Sequence, residues 1–342
     1  IYASSLGVDD YATEVGDYSL EGRNRFVAAS STILEKVENV DASQLKPADK
    51  IEYGVLKRTL EDTIEANRYG QRTINFSTYS GWHQSFAGMA DNLPFRSKAD
   101  YESYNARLKQ YGRVNDQSLA VANEALKGKY VLPCVVLNGY EKGIKGLIVA
   151  DADIRQSRYM SPYHRRRPEN ITETEFYSLA AEAGATIATV IHPALQKHLD
   201  WFAKSYKPNC AKAPGVSAQP GGMDYYNFRI RQETTTNLNA EQIHELGLKE
   251  VARIRAEMVE VATKAGYPSR EAFIQHLRTD PQYYAKAPEE LMEKVALEPH
   301  RHCTSLFRRG ESEEQRCGGS QRWPISHTIT GAPAHVEEHE QD

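Results

Sequence analysis

The chain has 342 residues, of which 26% are charged and 40% are hydrophobic, and its net charge is 42 − 46 = −4. These values are typical of a soluble globular protein, and so small a net charge gives no sign of nucleic-acid or membrane-surface binding. No window approaches the roughly 18 apolar residues that a membrane-spanning helix needs. No signal peptide opens the chain, which starts at Ile1 without a methionine. We therefore expect that the natural N-terminus was removed, and the residues alone leave the compartment open.

Helical periodicity dominates the chain from its first third onward. Ser19 introduces a helix that runs to about Val40, and Pro47 begins another whose apolar residues recur at steps of three and four as far as Tyr69. The same pattern predicts three further helices, Asp100–Gly112, Asn115–Lys127 and Pro133–Val149.

The pattern continues to about Leu297. Thr172 and Glu175 form a capping box that opens a long helix toward Tyr206, which Pro193 should kink. Asn239 and Gln242 form a second capping box, and the helix that follows carries an apolar stripe that should face the core. The stripe is Ile243, Leu246, Val251, Ile254 and Met258. Two short helices follow, Ser269–Leu277 and Glu289–Leu297. Because convincing strands are scarce, the prediction is an all-α, multi-helix bundle.

Two segments between the predicted helices read as long aromatic loops, Asn75–Phe95 and Gly215–Asn239. Loops of this length inside a domain are usually functional or disordered, and their aromatic content argues against disorder. We predict that they line one concave surface that grips the carboxylate or backbone of a peptide-like substrate. The candidate substrate-binding residues are Trp82, His83, Tyr225, Tyr226, Arg229 and Arg231. The alternative is that these side chains pack the loops onto the helices.

Catalytic signatures are missing up to Leu297, where neither G-x-S-x-G nor H-E-x-x-H occurs, so no catalytic residue and no metal ligand is predicted there. Cys134 and Cys210 are either buried thiols or, in an oxidising compartment, a disulfide. Near the chain end, His335-Val-Glu-Glu338-His339 has the spacing of an inverted zinc-peptidase motif. Two nitrogen ligands beside a terminus are not enough for a catalytic site, and we predict weak, adventitious metal affinity.

Four stretches carry a resemblance to a known family: "YASSLGVDDYATEVGDYS", "INFSTYSGWHQSFAGMADNLPFRSKADYESYNARLKQY", "QPGGMDYYNFRIRQETTTNLNAEQIHELGLKEVARIRAEM" and "GYPSREAFIQHLRTDPQYY". With them, residues 2–297 closely resemble the bacterial domain-of-unknown-function 885 family. The resemblance implies a mostly helical protein similar to zinc-dependent metallopeptidases. It also implies a location in the periplasm, in the envelope as a lipoprotein, or outside the cell.

The family's metal motif, His-Glu followed by Pro-Gly-His-His, lies downstream of everything matched here. The resemblance therefore implies zinc in intact relatives and no cofactor in this chain. We expect an N-terminal part that contributes substrate-cleft loops and is inactive as written. Residues 298–342 depart from the family in composition, which indicates a reading-frame change or a divergent tail. The alternative function is a non-catalytic helical module that binds a peptide or an envelope partner. Substrate and oligomeric state stay open.

Overall fold

The computed structural model describes residue 6, residues 8–293 and residue 295. In these residues it contains helices and two isolated β-bridges but no strand, which confirms the predicted all-α fold. The α-helices are α1 (Leu20–Glu38), α2 (Pro47–Ala66), α3 (Trp82–Ala87), α4 (Lys98–Leu108), α5 (Tyr111–Lys127), α6 (Tyr140–Lys145), α7 (Glu173–Thr186), α8 (His192–Trp201), α9 (Gly222–Thr234), α10 (Ala240–Lys264) and α11 (Arg270–Thr279). Residues 288–293 are also helical.

Side-chain caps explain why several helices begin where they do. Ser19 Oγ accepts a hydrogen bond from the backbone N–H of Gly22 at 3.0 Å, which satisfies one free donor of the first turn of α1. The predicted capping boxes are confirmed at both places. Thr172 and Glu175 cap α7, and Asn239 exchanges hydrogen bonds of 3.0 and 2.9 Å with Gln242 before α10.

The helix predicted from Pro133 to Val149 is wrong in its extent. The segment forms a 3₁₀ turn (Cys134–Leu137) and then the short helix α6. Gly139 separates them in the left-handed region, with φ of 88°. A left-handed residue interrupts an α-helix, and glycine adopts that conformation without steric cost.

The two predicted long loops contain helices of their own. The first holds α3 and a 3₁₀ turn (Met89–Asn92), and most of the second is α9. Gly221, with φ of 65°, makes the turn into α9. A Cβ at Gly222 would lie 1.7 Å from the carbonyl oxygen of Val216, so no larger residue fits there. The glycines that suggested a loop are therefore the residues that start a helix.

The predicted long helix toward Tyr206 is present, but it is not regular. A π-turn (Ile187–Ile191) joins α7 to α8, and a second one (Phe202–Tyr206) follows α8. Pro193 lies at the start of α8, directly after the first π-turn. Proline has no backbone N–H to donate to the preceding helical turn, and its ring crowds a carbonyl of that turn. Regular α-helical geometry is therefore disfavoured before Pro193, and the π-turn, which is wider than an α-helical turn, lies at this place.

The described residues divide into two compact units, one that ends at His244 and one that starts at Glu245. The core of the first unit is formed mainly by α3 to α8 and is unusually rich in aromatic rings. Fully buried tyrosines and phenylalanines include Tyr101, Tyr104, Tyr111, Tyr140, Tyr159, Tyr206, Phe202 and Phe228. Rings of this size bury large areas, so they dominate the stabilisation of the unit.

Cys134 and Cys210, 76 residues apart in sequence, form a disulfide, which decides between the two readings of this pair. The surrounding backbone is paired as well. Cys134 N–H donates to Ala211 O at 2.8 Å, and Ala211 N–H donates to Leu132 O at 3.0 Å. The bond therefore joins the segment before α6 to the residue that follows a 3₁₀ turn (Lys207–Asn209) after the second π-turn.

The second unit contains most of α10, together with α11. The described residues leave most of the apolar stripe of α10 exposed, contrary to the prediction. Leu246, Val251, Ile254 and Met258 are between 38% and 49% exposed. Helical periodicity shows that a helix has an apolar face, but it does not show that this chain supplies the surface that covers it.

No helix of the described residues is long and apolar enough to cross a membrane. The predicted boundary at residue 297, the tail 298–342 and the His335–His339 motif all lie outside the described residues.

Candidate functional site

The structure places the six predicted binding residues in two separate environments. Trp82 and His83 begin α3 and are buried in the core, with 4% and 0% of their surfaces exposed. The other four lie on α9. The expected concave surface shared by Trp82 with Tyr225 or Tyr226 is therefore wrong, because the side chains of Trp82 and His83 pack inward. The assignment of the six residues to substrate binding stays a prediction.

Trp82 and His83 belong to a buried histidine cluster made of Trp82, His83, Tyr140 and His198. Trp82 stacks on His198 with ring centroids 4.1 Å apart, and its Nε1 donates to Asn115 Oδ1 at 2.9 Å. Tyr140 Oη lies 3.0 Å from His198 Nε2. The centroids of the two imidazole rings are 5.2 Å apart. The cluster is a tightly packed polar centre in an apolar core.

Burial keeps both imidazoles of this cluster neutral near pH 7. Desolvation lowers the pKa of His83 to about 4. It also lowers the pKa of His198, and the neighbouring His83 lowers it further. Among the described residues, neither ring nitrogen of His83 has a hydrogen-bond partner, and His198 Nδ1 has none. No nearby carboxylate offsets a proton, so the cluster disfavours charge.

The cluster does not fit the zinc ion that the family resemblance implies. A catalytic zinc takes three protein ligands and keeps one position open for water. His83 and His198 offer two nitrogens, and His198 Nε2 already bonds Tyr140. Within the described part of the chain, no group of three or more histidine, cysteine, aspartate or glutamate side chains is placed to hold a metal.

A different site lies between α1, α2 and α9, which we call the α1–α2–α9 groove. It is an open depression with a volume of about 580 Å³. Its lining combines aromatic, amide and charged side chains: Arg23, Phe26, Val27, Thr59, Asp62, Thr63, Ala66, Asn67, Gln71, Arg72, Tyr225, Phe228, Arg229 and Gln232. Of the predicted binding residues, Tyr225 and Arg229 belong to this lining.

Aromatic packing holds α9 against the end of α2 and so forms one wall of the groove. Tyr69 stacks on Phe228 at 5.2 Å between ring centroids, and it lies 5.6 Å from Tyr225. Phe228 is 1% exposed, so it anchors α9. Tyr225 is half-buried and lines the groove, whereas Tyr226 is exposed and does not.

The two predicted arginines of α9 already have acidic partners. Arg231 donates to Glu65 Oε1 at 2.6 Å, and Tyr69 Oη donates to the same oxygen at 2.7 Å. Arg229 pairs with Glu233, one turn further along its own helix. Their positive charges are therefore largely neutralised before any ligand arrives.

Arg23 and Arg72 are the cationic groups that the sequence reading missed. Arg23 Nη1 donates to the backbone oxygen of Arg72 at 2.5 Å. Desolvation and the charge of Arg72 lower the pKa of Arg23. No carboxylate of the described residues pairs with either guanidinium. The only signal in sequence is that Arg23 shares a face of α1 with Phe26 and Val27, and nothing local links it to a residue 49 positions away.

The sequence profile described as "Bacterial protein of unknown function (DUF885)" matches residues 1–304. One crystal structure, described as "the putative lipoprotein from Colwellia psychrerythraea", has a similar fold with a TM-score of 0.69 at 18% sequence identity. The similarity covers 89% of this chain but 55% of that protein, so the chain spans about half the length of its solved relative. No curated protein matches the chain. Since the profile match includes most of the sequence, the chain belongs to the bacterial DUF885 family.

Proposed function

We propose that this chain binds peptide-like ligands in the α1–α2–α9 groove, and that in full-length members of the family this surface serves a zinc-dependent, metallopeptidase-like hydrolase. The observation that carries the proposal is the groove itself, with about 580 Å³ of open volume between aromatic and polar walls. Ligand sites in proteins combine such a concave apolar surface with a few polar groups that fix orientation.

The polar groups of the groove match both halves of a peptide bond. Guanidinium N–H groups donate to carbonyl and carboxylate oxygens. Oxygens of lining side chains such as Asp62 and Gln71 accept hydrogen bonds and suit an amide N–H. Phe26 and Tyr225 supply flat apolar faces for a ligand side chain.

Hydrolysis is assigned to another part of the full-length relatives. The described residues do not fit a zinc site, and this chain spans about half of its solved relative. On this proposal zinc, with the water that it activates, belongs to the portion of longer members that this chain does not match, and this chain alone is inactive.

The Cys134–Cys210 disulfide supports an envelope or extracellular setting. Such bonds form and persist in oxidising compartments and are rare in the reducing cytosol. The description of the solved relative as a lipoprotein agrees with that setting. We therefore propose that the protein works in the periplasm, in the envelope or outside the cell.

The binding half of the proposal is tested by calorimetric titration of the chain with acetyl-alanyl-alanyl-phenylalanine. Tyr225→Ala should weaken binding about tenfold, because it removes an aromatic wall of the groove. Tyr226→Ala is the matched control, since this neighbouring tyrosine lies outside the lining, and it should leave the affinity unchanged. Equal effects of the two variants, or no binding by the wild-type chain, would rule the groove out.

The hydrolase half is tested by metal analysis of a full-length relative beside this chain. The proposal requires stoichiometric zinc and peptide hydrolysis in the longer protein. A longer protein that binds the peptide but holds no zinc would instead establish the alternative, a non-catalytic helical binding module.

A further inference from the structure

We infer that Arg23 and Arg72 form a subsite that binds the terminal carboxylate of a peptide lying in the α1–α2–α9 groove. The inference rests on the proposed function and names the ligand group that the groove selects. Arg72 and Asn67 also line an adjacent depression of about 520 Å³. Arg72 therefore lines both depressions, whereas Arg23 lines only the α1–α2–α9 groove.

The donors of this pair are mostly unused. A guanidinium carries five N–H donors, and Arg23 spends one of them on the backbone oxygen of Arg72. The guanidinium of Arg72 donates no hydrogen bond to a described residue. Two arginines can hold a carboxylate through parallel N–H···O bonds, which are among the stronger hydrogen bonds in proteins.

The carboxylates near Arg23 and Arg72 do not neutralise the positive charges of these two arginines. From α2, Asp62 lies in the groove lining, but its carboxylate is 3.8 Å from Arg58. From α9, Arg229 pairs with Glu233. Asp62 and Glu233 therefore each have a cation of their own, and no carboxylate of the described residues pairs with Arg23 or Arg72. Two like charges held together are unfavourable, and an anion between them relieves the repulsion.

A peptide terminus matches this lining better than a free phosphate does. A free phosphate offers oxygens to the guanidinium groups but has no apolar part to pack against the aromatic side chains of the lining. A peptide terminus carries a carboxylate, an amide N–H one residue away and a side chain. The aromatic faces of Phe26 and Tyr225 suit an apolar terminal side chain.

The test compares two forms of one probe, acetyl-alanyl-alanyl-phenylalanine with a free carboxylate and the same peptide with a C-terminal amide. Calorimetric titration should show the acid binding about tenfold or more tightly, the ratio that one charge-assisted hydrogen bond of about 1.4 kcal/mol gives. Arg23→Gln and Arg72→Gln should each reduce that ratio toward one. Arg166→Gln is the control, because it removes the same charge from an exposed pair with Glu169 away from the groove. Circular dichroism checks that every variant is folded.

The outcomes separate the subsite from the groove. A preference for the acid that both groove variants lose and the control keeps would support the subsite. Equal binding of acid and amide would overturn the subsite while leaving the proposed peptide groove intact. Absence of binding by either peptide would overturn both. Displacement of the peptide acid by inorganic phosphate, but not by acetate at the same concentration, would reassign the pair to phosphate and overturn the inference.

Discussion

His83 is an imidazole with no exposed surface and no counter-charge, so it links the stability of the first unit to pH. In the unfolded chain it takes up a proton near its ordinary pKa of 6.5, whereas burial lowers that pKa to about 4 in the folded chain. The unfolded state therefore binds more protons between those values. Stability is complete above about pH 6.5 and falls as the pH drops toward 4, by roughly 3 kcal/mol for this residue.

Replacing this side chain should flatten the acid limb of the stability curve. We expect His83→Gln to reduce the loss of unfolding free energy between pH 6.5 and pH 4, measured by urea denaturation at several pH values. His164→Gln, at an exposed histidine, should leave the slope unchanged. A slope in His83→Gln as steep as in the wild type would show that His83 takes up its proton equally in both states.

A substitution at Trp82 can distinguish a packing role of this side chain from a ligand-binding role. Its ring is 4% exposed and stacks on His198, and its Nε1 donates to Asn115. We expect Trp82→Ala to lower the unfolding free energy by roughly 3–5 kcal/mol, the usual cost of deleting a large buried ring. Chemical denaturation measures this. If Trp82→Ala changes the unfolding free energy by less than about 1 kcal/mol and abolishes peptide binding, Trp82 binds the ligand and does not mainly stabilise the core.

At the scale of the element, local sequence signals predict where a helix begins better than they predict which residues pack against it. The capping boxes at Thr172 and Asn239 are readable because every atom involved lies within four residues. The burial of Trp82 and the pairing of Arg23 with Arg72 depend on residues far apart in sequence, so local patterns do not contain them. The start of α9 was missed because Gly221 and Gly222 are typical of loops as well as of tight helix entries.

The exposed stripe of α10 predicts small effects of substitution. Ile254 is 44% exposed, so Ile254→Ala should cost about 1 kcal/mol or less instead of the 2–5 kcal/mol typical of a buried aliphatic residue. Leu195, which is fully buried on α8, is the comparison, and Leu195→Ala should cost roughly 2–5 kcal/mol. Equal losses in urea denaturation would mean that α10 is covered in solution.

The disulfide joins two segments that are 76 residues apart in sequence. Cys134→Ser with Cys210→Ser should lower the unfolding free energy by roughly 2–5 kcal/mol, because the bond closes a long loop in the unfolded chain. Thermal unfolding of the wild type with and without reductant gives an independent measure. A reduced wild type that matches the oxidised one in stability would contradict this role.

For the whole molecule, the fold class and the family could be predicted from sequence. The position of a ligand-binding concave surface could not. Helical period and caps are local, and the motif stretches identify the family. The position of a groove depends on how distant helices pack. Exposed apolar residues on α2 and α10, Val55 and Val251 among them, lie on faces that the described chain leaves open, and the solved relative is a longer protein.

The metal affinity of the chain is predicted to be weak. The described residues bring together only two buried histidines, and the His335–His339 motif supplies two nitrogens. Calorimetric titration with zinc should therefore give no submicromolar, one-to-one binding, either for the chain or for a version ending at Leu297. Tight binding that disappears on this truncation would show that the terminal motif is a true site.

A crystal structure of the chain with acetyl-alanyl-alanyl-phenylalanine tests the central claim most directly, because it locates the ligand without relying on variants. The peptide should lie in the α1–α2–α9 groove, with a carboxylate oxygen about 3 Å from a guanidinium nitrogen of Arg23 or Arg72. A peptide bound anywhere else, or an empty groove at saturating peptide, would contradict the proposed site.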